Sequence, residues 1–258
     1  MLSDSFSGAR FFLRGISLIM QPGIRRFVLI PLSINILIFS ALIAVGYQQF
    51  GELLDWLLPA EADSWWSWLN WLRYLLLPIF FAVAAVIMFF TFSIIANFIG
   101  APFNALLAEA VERHLTGAVP ENSTEGMKAF MASIVPAMIS EVKKMGYYIV
   151  ISLPFIILFV IAFFIPLLNI VASLAWLLVT AWILAVQYCD YPFDNHALDF
   201  LTLRKRLGER RFIAFGFGGS AMLLMSVPIV NFIVMPTAVA GATAMSLEKF
   251  RLEEKPTD

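Results

Sequence analysis

IVISLPFIILFVIAFFIPLLNIVASLAWLLVTAWILAV, residues 149–186, is a run of 38 residues without a single charge. A transmembrane helix needs about 20 apolar residues to cross a hydrocarbon core roughly 30 Å thick. The run is therefore too long for one span and barely long enough for two. Its middle, Pro166-Leu167-Leu168-Asn169, resolves the difficulty, because proline ends one helix and asparagine bonds nearby backbone in a turn. This predicts a helical hairpin with arms of 17 and 17 residues. At 1.5 Å per residue each arm reaches about 24 to 26 Å. A second uncharged block, Phe212 to Leu247, has 36 residues and is split by Pro228-Ile229-Val230-Asn231 into arms of 16 and 16. Both blocks are expected to be partly penetrating hairpins, with Pro154, Gly216, Gly218, Gly219, Pro236 and Gly241 shortening or bending the arms further; full crossing, by local thinning of the bilayer or snorkelling of flanking side chains, is the alternative.

Two other uncharged runs have the length of ordinary spans: Phe27 to Val45, 19 residues, and Leu75 to Ile99, 25 residues. The composition agrees. Apolar residues make up 61% of the 258-residue chain and charged ones 14%, against roughly 45 to 50% and about 25% in soluble domains. The expected fold class is an all-α integral membrane protein with two transmembrane helices, two partly penetrating helical hairpins and amphipathic surface helices. Those surface helices are expected over residues 3–20, 103–115 and 128–147, with an exposed turn from Gly117 to Gly126. No linker divides the chain, so residues 1–258 are read as one membrane-embedded domain.

Charge orients the chain. The first 26 residues carry Arg10, Arg14, Arg25 and Arg26 against Asp4, whereas residues 46–74 carry Glu52, Asp55, Glu61 and Asp63 against Arg73. The positive-inside rule then places the N-terminus in the cytoplasm and the 46–74 loop, with its crowd of tryptophans, outside. Arg204, Lys205, Arg206, Arg210 and Arg211 place the 187–211 loop inside as well, and the C-terminus with it. No removed signal peptide is expected at the N-terminus, which lacks a continuous apolar core before a cleavage site.

Just before the first span lies Gln21-Pro22-Gly23-Ile24-Arg25-Arg26. If Pro22 opens the helix, the amides of Gly23, Ile24 and Arg25 are left unpaired and point outward. Gly23 allows close approach to the backbone. Two guanidinium groups supply bidentate, charge-assisted bonds that suit oxyanions. The same pair would also serve as a plain topology signal or a contact for lipid phosphate.

The residues also carry a family resemblance. Gly15, Ile16, Ile19, Pro22 and Arg25, read as G-I-x-x-I-x-x-P-x-x-R, resemble the G-L-x-x-L-x-x-P-x-x-R motif of the CysZ sulfate permease family. Ile99 to Asn104 with Leu106 to Glu109, Gln187 to His196, and Pro236 to Met245 are similar to other stretches of that family, so the likeness covers essentially the whole chain. It implies sulfate uptake across the bacterial inner membrane for cysteine biosynthesis, sulfate held at Gly23, Ile24, Arg25 and Arg26, and a homo-oligomer built from dimers.

The absence of a G-x-x-x-x-G-K-[ST] loop argues against ATP-driven pumping. No Asp or Glu lies within any of the four uncharged blocks, which leaves no obvious proton relay and favours a channel-like route. Asn35, Asn97, Asn104, Glu109 and Asn231 are candidates for a polar path, each equally able to bond a neighbouring helix. Cys189 and His196 fall short of a zinc set, and neither H-E-x-x-H nor G-x-S-x-G occurs. No metal, cofactor, enzymatic activity or nucleic-acid partner is expected; the partners expected are sulfate, membrane lipid and further copies of the chain. The alternative function is a non-transporting membrane scaffold that recruits partners through its amphipathic helices and basic loop.

Overall fold

A computed structural model of the chain describes residues 2–57, 78–79, 82, 100–118, 127–250 and 252. Every regular element among them is helical: α1 (Leu2–Ile19), α2 (Arg26–Leu57), α3 (100–116), α4 (Met127–Phe164), α5 (Leu168–Asn195), α6 (Phe200–Glu209), α7 (Arg211–Met225) and α8 (Pro228–Lys249). The chain forms two compact units, residues 1–29 with 101–258, and residues 30–100. Within the second unit, α2 stays helical through Leu57, so the first part of the expected outer loop is helix. The expected span 75–99 lies outside the described residues, apart from residues 78, 79 and 82, which are helical.

The core of the first unit is built by α1, α5, α7 and α8. Glycine lets them approach. A Cβ on Gly8 would lie 2.1 Å from the Ile213 carbonyl oxygen, and one on Gly15 would lie 2.0 Å from that of Thr237. On the opposing helices, Cβ atoms at Gly216, Gly218 and Gly241 would lie 2.0, 1.8 and 2.6 Å from the carbonyl oxygens of Ser5, Ala181 and Phe11. These are backbone-to-backbone crossings of the kind small residues permit in membrane helices. Gly216, Gly218 and Gly241, expected to shorten or bend the second hairpin, sit inside α7 and α8 at these crossings, and both helices run through them.

Helix α1 also departs from a simple surface helix. Phe11, Phe12, Leu18 and Ile19 are buried against the core, with Phe12 edge-on to Phe217 at 5.8 Å, while Phe6, Leu13 and Ile16 face outward. The expected apolar face is therefore split, because the two glycines, not the bulky residues, choose which side of α1 meets α7 and α8. Helix α3 is likewise packed, burying Leu107, Ala108 and Val111 together with Asn104, Glu109 and Glu112. It ends at Gly117, whose φ of +74° and amide bond to the Arg113 carbonyl close the helix.

The first hairpin is present as α4 and α5, turned at Pro166-Leu167. The Leu168 amide bonds the Ile165 carbonyl, and Asn169 Nδ2 donates to the Ala162 carbonyl at 3.2 Å, so the asparagine ties the turn to the preceding helix. Its arms are longer than expected. The segment Ile139–Phe164 has 26 residues and Leu168–Asn195 has 28, a reach of about 39 and 42 Å and long enough to cross a core of about 30 Å. The expected surface helix 128–147 is not a separate element but the start of α4, because nothing between Met145 and Ile149 breaks a helix except Gly146, which costs only about 1 kcal/mol. Beyond its foot the hairpin is bare: Ile149, Leu153, Val160, Phe163, Phe164, Leu167 and Leu174 are all exposed. Such an apolar surface is the signature of a membrane protein.

In the second hairpin the turn falls earlier than expected. It lies at Ser226-Val227, and Pro228 opens α8, with Asn231 in its first turn donating its amide to the Val227 carbonyl. Proline at the first helical position loses no hydrogen bond, so here it starts a helix and does not end one.

Candidate functional site

Residues 20–25 form a turn between α1 and α2, and α2 begins at Arg26. Pro22 is thus not the first residue of α2, and the expected set of open amides changes. The Gln21 carbonyl accepts from the amides of Ile24, at 3.1 Å, and Arg25, at 3.2 Å. Among the described residues, the amides of Gly23 and Arg26 have no backbone acceptor. Of the three amides expected to be free, Gly23 alone keeps that character, and Arg26 joins it. Gly23 has a φ of +91°, a left-handed conformation that favours glycine, and a Cβ there would meet open space.

A recess of about 250 Å³ opens beside this turn. One wall is Pro22, Gly23, Ile24, Arg26 and Phe27; the other is Leu106, Glu109, Ala110, Arg113 and His114 of α3. Ile24 is buried in the core and pins the turn, while Arg26 is exposed and stacks over Phe27 at 4.8 Å. Arg113 Nη2 donates to the buried Glu109 carboxylate at 3.0 Å, one helical turn away. Among the described residues that line the recess, two guanidinium groups stand against one carboxylate, a net positive lining to which Gly23 adds its backbone. Its volume and donors fit a small tetrahedral oxyanion. Of the four residues expected to bind sulfate, Gly23, Ile24 and Arg26 line the recess; Arg25 is exposed and does not.

The family described as Sulfate transporter CysZ/Etoposide-induced protein 2.4 matches residues 11–236, most of the chain and both walls of the recess. The chain belongs to the CysZ family. Relatives named Sulfate transporter CysZ are 41% identical over 239 residues in Pseudomonas paraeruginosa, covering 93% of this chain and 94% of the relative. The relative of that name in Pseudomonas fluorescens is 40% identical over 248 residues, covering 94% of each chain. In Pectobacterium atrosepticum it is 41% identical over 248 residues, covering 95% of this chain and 86% of the relative.

In this CysZ-family chain the residues expected to form a polar path are not all gathered in one place. Glu109 joins the recess. Asn104 is buried where α3 meets α5 and α8, its Nδ2 3.3 Å from Tyr191 Oη and 3.3 Å from Met235 Sδ, and acts as a tie between helices. Asn231 is exposed in the first turn of α8. Asn35 lies in the second unit, its Oδ1 buried without a hydrogen-bond partner among the described residues. Asn97 lies outside the described residues.

Sequence reasoning missed Arg113 and His114 as neighbours of the arginine pair. A signal was present: Glu109 and Arg113 stand four apart in a predicted helix, and such residues share a face. Nothing local linked that face to Gln21–Arg26, 80 and more positions earlier. Further polar contacts hold the base of the unit together. His196 Nε2 lies 2.8 Å from Glu112 Oε1, joining the end of α5 to α3. Lys144 of α4 pairs with Asp190 of α5, with Asp194 at 3.1 Å and with Glu141 at 3.8 Å.

Proposed function

We propose that the chain is a sulfate permease of the bacterial inner membrane, channel-like and independent of ATP, that imports sulfate for cysteine biosynthesis. The observation that carries this reading is the cationic recess at Gly23, Ile24 and Arg26 in a chain about 40% identical, end to end, to proteins named sulfate transporters. Sulfate is held by the Gly23 and Arg26 amides, by the Arg26 guanidinium and by Arg113, while Arg25 adds attraction from outside the recess and Ile24 anchors the turn. Charge-assisted bonds from guanidinium replace part of the water a dianion must shed. Asn35, Asn97, Asn104, Glu109 and Asn231 contribute polar contacts along the remaining route.

The two units work as one membrane-embedded transport domain. The α4–α5 hairpin crosses the bilayer, since each helix reaches beyond 30 Å, whereas α7, with 15 residues and a reach of about 22 Å, penetrates only in part. Arg14 pairs with Glu248, and Arg206 donates to the Phe250 carbonyl at 2.9 Å. These contacts gather α1, α6 and the end of α8 on one side, and the arginines of α1 and α6 with Lys249 of α8 support a cytoplasmic reading of that side. The working form is a homo-oligomer built from dimers, embedded in lipid.

Calorimetric titration of the detergent-solubilised chain with sulfate tests the site. Arg26→Ala is expected to weaken binding at least tenfold, the loss of one charge-assisted bond pair of about 1.5 to 3 kcal/mol, and Arg25→Ala to weaken it less. Equal affinity of Arg26→Ala and the wild type would remove the recess from the function.

A further inference from the structure

We propose that α6 and the corner between α6 and α7 form a docking surface for the headgroups of anionic phospholipids. Helix α6 has two unlike faces. Leu203 and Leu207 are fully buried, and Arg206 is engaged internally by the Phe250 carbonyl. On the opposite side Leu201, Lys205 and Gly208, spaced i, i+4 and i+7, are exposed, Leu201 by 66%. Arg210 and Arg211 are exposed at the corner that follows. From Asp199 to Arg211 the chain carries five cations against two acids.

The surroundings fix the depth of this face. Helix α6 links the end of α5 to the start of α7, both strongly apolar helices, and packs on both. Arg204 lies over the ring of Tyr147 at 4.4 Å and that of Phe200 at 5.8 Å, and Trp182 Nε1 donates to Tyr147 Oη at 3.0 Å. A cluster of tryptophan and tyrosine marks the boundary between hydrocarbon and headgroups. At that depth the bare Leu201 meets acyl chains while Lys205, Arg204, Arg210 and Arg211 meet phosphate. A soluble acidic partner would satisfy the cations but leave Leu201 and the aromatic cluster unexplained. A zwitterionic headgroup brings its own cation and gains little from the patch, so the face selects anionic lipid, at about 1 kcal/mol per basic residue. The proposal rests on membrane residence and not on the identity of the transported ion.

Native mass spectrometry of the full chain, titrated with phosphatidylglycerol or phosphatidylcholine, tests it. The wild type is expected to hold phosphatidylglycerol at least tenfold more tightly than phosphatidylcholine. The variant Lys205→Gln/Arg210→Gln/Arg211→Gln should lose that preference. Lys205→Glu alone, a surface change that leaves the buried face of α6 intact, should lower phosphatidylglycerol affinity about fivefold or more. Equal retention of the two lipids by the wild type, or unchanged phosphatidylglycerol affinity in Lys205→Glu, would overturn the proposal. So would retention of a soluble polyglutamate peptide in preference to phosphatidylglycerol.

Discussion

Gly23 shows how one residue shapes the recess without contributing a side chain. Its left-handed backbone turns the chain so that the Gln21 carbonyl collects the amides of Ile24 and Arg25, and the Gly23 amide has no backbone acceptor among the described residues. The sequence marked Gln21 to Arg26 as a turn rich in donors, but not which amides the turn leaves open. Arg25 and Arg26 are adjacent and chemically identical; only the turn decides that Arg26 lines the recess. Asp199 is a residue whose role was closer to legible, since a carboxylate before an apolar-patterned segment is a common N-cap. Its side chain accepts from the Thr202 amide at 3.1 Å, and hydrogen bonding to Thr202, first to its side chain and then to its backbone, holds the carboxyl below the usual aspartate value. A folded-state value lowered in this way stabilises the protein above the unfolded pKa, near 3.9, and the contribution is lost as pH falls through the lower folded value. Asp199→Ala is therefore expected to cost about 1 kcal/mol at pH 7. Thermal unfolding of both forms in detergent checks this: the gap should be full at pH 7 and shrink below pH 4.

At the scale of elements, helices were legible wherever uncharged runs and prolines punctuate the chain, and less so where tertiary packing decides. The turn at Pro166-Leu167 follows from the sequence because proline and asparagine act locally. The joining of residues 128–147 and 149–164 into one α4 does not, since Lys143, Lys144 and the tyrosines at 147 and 148 look like a boundary until Lys144 finds Asp190. Helix α1 is the clearest case. Its hydrophobic pattern suggests a surface helix, but Gly8 and Gly15, seven apart, bring it backbone to backbone with α7 and α8. That contact can be tested directly. Gly15→Ala places a Cβ 2.0 Å from the Thr237 carbonyl oxygen and 2.9 Å from the Gly241 nitrogen, and is expected to destabilise the fold by about 3 kcal/mol. Gly146→Ala, in a helix and with nothing within 4 Å of its Cβ, should instead be neutral or stabilising by up to about 1 kcal/mol. Paired unfolding curves decide between the two outcomes.

At the scale of the molecule, composition and uncharged blocks establish a helical membrane protein, and end-to-end similarity places it in the CysZ family. The reach of the spans was not legible, because arms counted from Ile149 to Val186 omit the polar feet where α4 and α5 remain helical. Cysteine labelling probes the proposed topology cleanly, since the native Cys189 is fully buried. With an impermeant maleimide, Leu168→Cys should react from the side opposite to Ser3→Cys, whereas Ser226→Cys at the tip of the shorter pair should not react from that far side. Reaction of Leu168→Cys only from the side of Ser3→Cys would make the first hairpin re-entrant after all. Sulfate passage without ATP is tested by radiolabelled sulfate uptake into proteoliposomes that contain the purified chain and no nucleotide. Saturable uptake is expected, ceasing when the sulfate gradient is dissipated and falling at least tenfold in Arg26→Ala. Uptake no faster than in protein-free liposomes would contradict it.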